Sequence, residues 1–499
     1  MNNQRQLKIL LIQPPVEDFY FTPHRSSTLG LKTLAKVWTE RGHNCQVLNC
    51  TMEKPLKKQI SLPESLSYLN PYLVKLDKDM QSTSWFTRYY RFGPSIESCV
   101  EEIIKTKADV VAVSAFAWSY ADNTRKLLER LKAIRQKQSV SFLLVTGGPG
   151  VTVMPEYFTT FADLIVTGEG EDSIFEIENM VGAIDYPNKG VIINSKFSGE
   201  LPFVYNLKSR KNSRFTVSTI ISRGCPKKCS FCANHLVFGR LLRKVPLAVL
   251  KNGMDSIIDE ILIVSEKQET IKLHINFEDD NILFYKEYFL EILVYVKYKC
   301  ETNNIDFSFT TENGMDYTLL DNKLLGKFKE LNIAQLNLSM ASMDNNQLKE
   351  QKRSGNLKKL ESILENSAEL NIPAITYFIC GLSGDTVTTI VNTLIYLHSL
   401  KTSIGISHYY PVPGLEDWLN KDTFLETTQA LCRGSSAFPW NNSLNTNELI
   451  TAFRLARTSN FIKYSKADKH KIEKIRNKLF EDSTINKKMV SFFFSQLTN

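Results

Sequence analysis

Eleven short runs rich in Val, Ile, Leu and Phe, separated by longer stretches of helical spacing, constrain this 499-residue chain more than any other feature. Five lie in the first third: Leu7–Gln13, Asn44–Asn49, Asp109–Ala115, Ser141–Thr146 and Asp163–Gly168. Each is almost continuously apolar, as strands covered on both faces are. Helical patterns at Leu29–Arg41 and Ala121–Arg135 alternate with them, and Gly42 stands where a helix C-cap belongs. Alternation of this kind predicts parallel α/β structure. Six further runs follow at Phe215–Gly224, Lys272–Asp280, Ile305–Gly314, Ile333–Ser342, Ala374–Gly381 and Ile404–Gly414. Between them run the stripes Leu320, Leu324, Phe328, Leu331 and Val387, Ile390, Val391, Leu394, Leu397, the second capped by Gly384-Asp385-Thr386.

The expected fold is α/β: a Rossmann-like doubly wound parallel sheet over residues 1–180, then a linker hairpin over 181–212. A partial (β/α)6 barrel follows over 213–415, and a small helical C-terminal region over 416–499. The hydrophobic fraction of 43% and charged fraction of 23% are those of an ordinary globular protein. A surplus of +8 over this length is too mild to argue nucleic acid as a partner. No apolar stretch has the length of a membrane span, and Ile9–Ile12 is too short for a signal sequence.

Three of the nine cysteines, Cys225, Cys229 and Cys232, have C-x3-C-x2-C spacing within SRGCPKKCSFCANH. Three thiolates so spaced can hold three irons of a 4Fe–4S cube and leave the fourth iron open for chemistry. A structural zinc would need a fourth ligand, for which His235 is the local candidate. A disulfide would leave one thiol over. The other six cysteines are scattered, as buried or free thiols in a reducing cytoplasm are.

With Phe231 before the last cysteine, this loop resembles the cluster loop of radical S-adenosylmethionine (SAM) enzymes. The resemblance implies that the open iron binds SAM and that one-electron reduction cleaves it to a deoxyadenosyl radical. The segments LLIQPP, ADVVAVSAFAWSYADNTRKLLERLK, LLVTGGPGVTVMPEYF and ADLIVTGEGEDSIFEI resemble the cobalamin-binding domain of cobalamin-dependent members. The D-x-H-x-x-G motif is missing: His24 follows Asp18 by six residues. Gly150 stands where many relatives carry His. The implied cobalamin contacts lie at Thr28, Leu29, Ser114, Ala115, Gly147, Gly148, Pro149, Val151, Thr152, Gly168, Glu169 and Gly170. They lie mostly at C-terminal strand ends, where ligands of such sheets bind.

SAM contacts are expected at Phe231, Glu278, Asp279, Asp280, Glu312, Ser339, Arg353 and Gly381, most at the mouth of the expected barrel. Carboxylates there can accept from an amino group or ribose hydroxyls, Arg353 can clamp a carboxylate, and Gly381 leaves room for a flat ring. His274 reads as a core histidine and His408 as a candidate facing substrate. The insertion Thr51–Ser98, ending in WFTRYYRFG, reads as an excursion over the first domain; base stacking is the alternative. The Lys-rich stretch Asn460–Val490 reads as a solvated helix face.

The resemblance implies a cytoplasmic cobalamin-dependent radical SAM enzyme, a C-methyltransferase acting on a small molecule, lipid or peptide. An external donor of flavodoxin or ferredoxin type would supply electrons. Radical rearrangement without methyl transfer, and a redox or sensory protein without turnover, are the alternatives. No individual catalytic residue is singled out.

Overall fold

The structure, a computed structural model, describes residues 5–20, 28–73, 83–138, 140–181, 189–210, 213–265, 270–416, 418, 429–465 and 468–497. A six-stranded sheet comes first. Strands β1 (Lys8–Gln13), β2 (Asn44–Asn49), β3 (Val110–Ser114), β4 (Leu143–Gly147), β5 (Leu164–Gly168) and β6 (Val191–Ser195) take the order β2-β1-β3-β4-β5-β6. All neighbours are parallel. Helix α1 (Leu29–Glu40) contributes Leu31, Val37 and Trp38 to the core on one face, with Leu11, Val145 and Ile177. Helices α2 (Ile96–Lys105) and α3 (Ala121–Gln138) contribute to the core of the other face. Gly42 follows α1 with φ +97°, a conformation glycine adopts without steric cost.

Strand β6 corrects the expected linker hairpin. Val191–Ser195 pairs parallel with β5, whereas β7 (Tyr205–Arg210) pairs antiparallel with β8 (Arg214–Thr219). The open edge of β5 offers unpaired backbone groups, and β6 takes them. The two runs flanking Ser198-Gly199 therefore belong to different sheets; Tyr186, Pro187 and Asn188 lie outside the described residues. In the insertion, Tyr89–Phe92 pairs antiparallel with Val16–Asp18 and Lys58–Ile60. Trp85 is buried edge-on against Phe453, ring centroids 4.6 Å apart, so this part of the aromatic run is core and offers no platform for bases. Residues 74–82 of the insertion lie outside the described residues.

The second unit is the expected partial barrel. Strands β8, β9 (Ile271–Phe277), β10 (Ile305–Thr310), β11 (Leu336–Ala341), β12 (Ala374–Cys380) and β13 (Ser403–His408) stand side by side in chain order. Two parallel ladders, β8-β9-β10 and β11-β12-β13, are joined by bridges at Phe309–Ile333 and Met315–Leu338. Helices α4 (Leu247–Val264), α5 (Lys286–Thr302), α6 (Asn322–Glu330), α7 (Leu357–Glu369) and α8 (Val387–Ser399) connect them. Thr386 caps α8, accepting from the Thr389 amide at 3.1 Å in a reciprocal pair.

Helices α9 (Thr446–Ser465), α10 (Lys469–Glu481) and α11 (Lys487–Leu497) close the chain, with α9 and α11 against α8 and α9 also against β13. One of the lysines expected on a solvated face is turned inward. The Lys463 ammonium donates to the carbonyls of Leu397, Leu400 and Thr402 at 3.0, 2.6 and 2.6 Å. Burial lowers its pKa to about 8. Lys463 thus satisfies carbonyls at the C-terminus of α8 that the helix cannot pair itself. Lys466 lies outside the described residues. The tail also grips the first domain: Arg433 donates to Glu17 O at 2.6 Å and Ser119 O at 3.0 Å, with Asp18 3.6 Å away. Among the described residues no helix is long and apolar enough to cross a membrane.

Candidate active site

The cysteine loop leaves the end of β8 and is fastened at its root by Asp279, just beyond β9. The buried carboxylate of Asp279 accepts from the Ser222 amide at 2.6 Å, the Ser222 hydroxyl at 2.5 Å and the Ile221 amide at 3.2 Å. Gly224 follows with φ +94°, and a Cβ there would stand 2.3 Å from Leu241 O, so the turn requires glycine. The Gly224 amide donates to Asp280 at 3.1 Å. Cys225, Cys229 and Cys232 then line one cavity of about 170 Å³. Burial raises the thiol pKa of Cys225 and Cys232, a cost that metal coordination offsets by holding the thiolate.

Burial also pushes the Asp279 pKa up to about 7, against the donors that favour its charged form. The unfolded carboxyl titrates near about 4. Between these values the folded protein holds a proton that the unfolded chain has lost, so stability falls as pH rises. Wild type should therefore lose stability relative to Asp279→Asn from about pH 4 to about pH 7, by at most roughly 1.4 kcal/mol per pH unit, and level off above. Denaturant titrations over that range check it; parallel curves for the two proteins would contradict it.

Phe231, Asp280, Ser339 and Arg353 of the expected SAM contacts line the cysteine cavity, together with Asn281, Asn313 and Asp316. Arg353 is held by one bond to Ser339 O at 2.7 Å, while its Nε and the Asn281 Oδ1 are buried without partners among the described residues. Buried polar atoms so left are explained by a ligand that pairs with them. The Lys227 ammonium pairs with Asp316; burial would raise that carboxyl's pKa, but the lysine holds it below the usual range. The donor set suits the expected cofactors: three thiols for a cluster, a guanidinium for a carboxylate, and a carboxylate for an amino group.

The other expected SAM contacts lie elsewhere. Asp279 is spent on Ile221 and Ser222. Glu312 lines neither cavity, its amide donating to Asn276 at 2.9 Å. Gly381 faces the tail: a Cβ there would meet Leu449 at 3.2 Å, and its carbonyl accepts from Asn441. Glu278 lines the larger cavity described next. His274 is the core histidine expected, its ring nitrogens 2.9 Å from the hydroxyls of Ser308 and Thr310. His408 is corrected: it is buried between the carbonyls of Gly434 and Leu449, at 2.9 and 3.0 Å, and presents no ring nitrogen to a substrate.

The larger cavity, about 670 Å³, lies at the C-terminal ends of the first sheet and is walled on its far side by the barrel domain. Of the twelve expected cobalamin contacts, Thr28, Leu29, Ser114, Gly147, Gly148, Pro149, Gly168, Glu169 and Gly170 line it. Ala115, Val151 and Thr152 do not. Ala115 O accepts from the Gly150 amide at 2.7 Å, Val151 is core, and Thr152 accepts from the Gly168 amide at 3.0 Å. These three brace the loops that form the wall. Gly148 has φ +105°, and a Cβ there would be 2.9 Å from Ala115 O. A Cβ on Gly30 meets nothing within 4 Å, so that face of α1 gives directly onto the open space. Among the described lining residues there is no histidine; His24 lies outside the described residues. A broad, largely apolar floor with glycine-rich rims fits a bulky macrocycle.

Sequence reading missed the far wall, made of Ile220, Val237, Phe238 and Val245. Apolar residues without a motif carry no signal of what they face. It also missed that Asp280 and Asn313 line both cavities, so the two spaces meet at one polar wall. Asp280 is accessible to solvent by area yet deep in the protein, and this depth raises its pKa.

An ion-pair network joins the domains beside this wall. Arg223, between Ser222 and the cysteines, donates to Glu169 at 2.6 Å and Glu171 at 2.7 Å; Arg243 reaches Glu169 at 2.5 Å. Both carboxylates are nearly inaccessible, so removing their shared cation strands buried charge. Arg223→Leu should cost about 3–5 kcal/mol and increase proteolysis between the domains. A melting temperature within about 1 °C of wild type, roughly 1 kcal/mol at this size, would contradict it.

Fold and site together define a radical SAM barrel fed by a B12-binding sheet, and comparison with known proteins agrees. Residues 219–397 match the Radical SAM superfamily, and residues 78–178 the B12 binding domain. The chain thus combines a radical SAM domain with a B12-binding domain, and the cofactors these domains imply are a 4Fe–4S cluster, SAM and cobalamin. It is 23% identical over 313 residues to bacteriochlorophyllide d C-12(1)-methyltransferase of Chlorobaculum tepidum, covering 61% of this chain and 64% of that protein. The chain thus spans just under two thirds of that relative. Identity is 22% over 444 residues to cytidylyl-2-hydroxyethylphosphonate methyltransferase of Streptomyces wedmorensis, covering 77% and 76%. The structure of the radical SAM methyltransferase TsrM from Kitasatospora setae superposes with a TM-score of 0.54 at 13% identity, covering 81% and 72%.

Proposed function

We propose that this protein is a cobalamin-dependent radical SAM methyltransferase of the cytoplasm, acting on an unactivated carbon of a small molecule, lipid or peptide. One observation carries the reading: the glycine-rimmed cavity of the first sheet and the cysteine cavity of the barrel share Asp280 and Asn313. The chain's similarity to two methyltransferases supports it. When bound, the cluster and SAM supply one-electron cleavage, and cobalamin supplies a transferable methyl group.

The chain's own residues bind, orient and exclude water. Residues 1–180 would seat cobalamin, residues 213–415 the cluster and SAM, and 416–499 would shape the substrate's approach. Cys225, Cys229 and Cys232 would hold three irons, Arg353 the carboxylate of SAM, and Asp280 its amino group. Asp279 and Arg223 act at one remove, fixing the root of the cysteine loop. Phe116 and Phe238, on opposite domains, would keep water from the space between.

The test is product mass. Reconstituted protein incubated anaerobically with reductant, SAM, methylcobalamin and candidate substrates should yield deoxyadenosine and a product heavier by about 14 Da. Deoxyadenosine with a product of unchanged mass would instead mean rearrangement. Bound cofactors with no deoxyadenosine would mean a non-catalytic protein.

A further inference from the structure

Beyond β13 the chain runs Tyr409-Tyr410-Pro411-Val412-Pro413-Gly414, and this segment is held at both ends. The Tyr409 amide donates to Cys380 O at 2.8 Å, which ties its start to β12. At its far end a Cβ on Gly414 would meet Leu236, just past the cysteine loop, at 3.1 Å and Val153 O of the first domain at 3.7 Å. The segment therefore crosses the seam between the cysteine loop and the first domain. Two tyrosines come together at this seam, and one of them has its hydroxyl spent. Tyr120 lines the larger cavity and donates to buried Asp18 at 2.6 Å. Asp18 also accepts from the Ser435 hydroxyl at 2.7 Å, and the Arg433 guanidinium sits 5.0 Å from the centre of the Tyr120 ring, so the tail fixes that side chain. The Tyr410 hydroxyl makes no hydrogen bond among the described residues.

Tyr410 is 38% exposed, yet it lines neither of the two cavities described above. It lies deep in the protein, where burial pushes its phenol pKa up and keeps the hydroxyl protonated at neutral pH. The ionisable groups within its electrostatic reach come from both sides of the seam: Cys232 from the cysteine loop, Asp18 from the first domain, and Cys432 and Arg433 from the tail. Tyr120 is within reach of Tyr410 in turn. The exposed part of Tyr410 thus faces an internal space between the two cofactor seats. A tyrosine hydroxyl at such depth ordinarily has a partner, so this one is left for a ligand. Resting on the proposed function, we infer that the ligand is the substrate: the Tyr410 hydroxyl donates a hydrogen bond to a substrate oxygen and holds the reacting carbon between the seats. That oxygen belongs to a neutral group, a carbonyl or hydroxyl. Arg433, the cation within reach, already spends its charge on Asp18 and its donors on Glu17 O and Ser119 O, so a carboxylate or phosphate would gain no counter-charge here.

Two measurements on the reconstituted holoenzyme test this. In the first, fluorotyrosine replaces Tyr410 alone, and the two cofactors serve as the probes. The fluorine resonance should broaden when cobalt(II) cobalamin is bound, and broaden further when dithionite reduces the cluster. The same label in place of Tyr464, 61% exposed on α9 beside the Lys463 that reaches the start of β13, should respond to neither. A resonance at position 410 that ignores either cofactor would overturn the assignment, whether or not a substrate has been found. In the second, Tyr410→Phe is compared with wild type on each candidate that wild type methylates in the product-mass assay. The variant should raise KM about tenfold, and by more than it lowers kcat, while its cluster and cobalamin contents match those of wild type. An unchanged KM would overturn a substrate contact. Loss of the cluster or of cobalamin from Tyr410→Phe would mean a structural role, which also overturns it. No dithionite-driven deoxyadenosine from wild type would instead overturn the proposed function, and this inference with it.

Discussion

Alanine at any one of Cys225, Cys229 or Cys232 should reduce deoxyadenosine formation to the protein-free level and leave no intact 4Fe–4S cluster after anaerobic reconstitution. On the proposed reading each thiolate would hold a different iron, so losing one would open a second iron and the cube would lose its defined vacancy. The same loss is expected at all three despite unequal environments: Cys229 is buried, Cys225 half-buried and Cys232 exposed. The matched control is Cys432→Ala, at a buried thiol far along the chain whose pKa burial pushes up to about 12. That variant trims a small apolar group, costs about 1 kcal/mol or little more, and should keep its cluster. If one of the three loop variants kept a full cluster and normal cleavage, the ligand assignment would be wrong. If the Cys432 variant lost its cluster too, loss would report general instability.

Gly30→Phe should abolish cobalamin uptake while leaving the fold intact. Gly30 lies in the first turn of α1 with an ordinary backbone conformation, lines the large cavity, and has open space where its Cβ would be. A phenyl ring there enters the cavity without strain on the backbone. Replacing glycine in a helix by a better helix former stabilises by up to about 1 kcal/mol, so the melting temperature should hold or rise. Uptake of hydroxocobalamin, read from the bound corrin spectrum after desalting, should fall at least tenfold. Cluster content should be unchanged, because the cysteine cavity lies beyond Asp280 and Asn313. Gly148→Val makes a useful contrast: φ of +105° and the carbonyl of Ala115 at 2.9 Å mean that it loses stability as well, by about 1–3 kcal/mol. Full cobalamin uptake by the Gly30 variant would show that the cavity is not the corrin seat.

The fold was legible because its signals are local. Runs such as LLIQ and VVAVS are apolar on both faces, and the turn at Gly42 and the cap at Thr386 stand where local chemistry puts them. The cysteine loop was legible for the same reason. What escaped reading depends on direction and on partners distant in sequence. Asp279 and Asp280 are neighbours, yet one turns to the backbone of Ile221 and Ser222 and the other to the cavities. Spacing could not distinguish them. Gly381 sits at a strand end as expected, but Leu449, from the tail helix, occupies the side a ring would need. Lys463 read as a solvated cation because nothing nearby in sequence reveals three carbonyls at the end of α8. Strand β6 was missed because Val191–Ser195 stands between Gly190 and the turn at Ser198-Gly199, which read as a hairpin, and its parallel pairing with β5 carries no local signal.

The central claim is that two cofactor seats face each other across Asp280 and Asn313, and magnetic relaxation tests it most directly. Protein loaded with cobalamin should show a cobalt(II) electron paramagnetic resonance signal whose relaxation quickens when dithionite reduces the cluster. Cys229→Ala should abolish that quickening and leave the cobalt signal itself in place. A cobalt signal that relaxes identically with and without a reduced cluster would place the two cofactors apart and contradict the account.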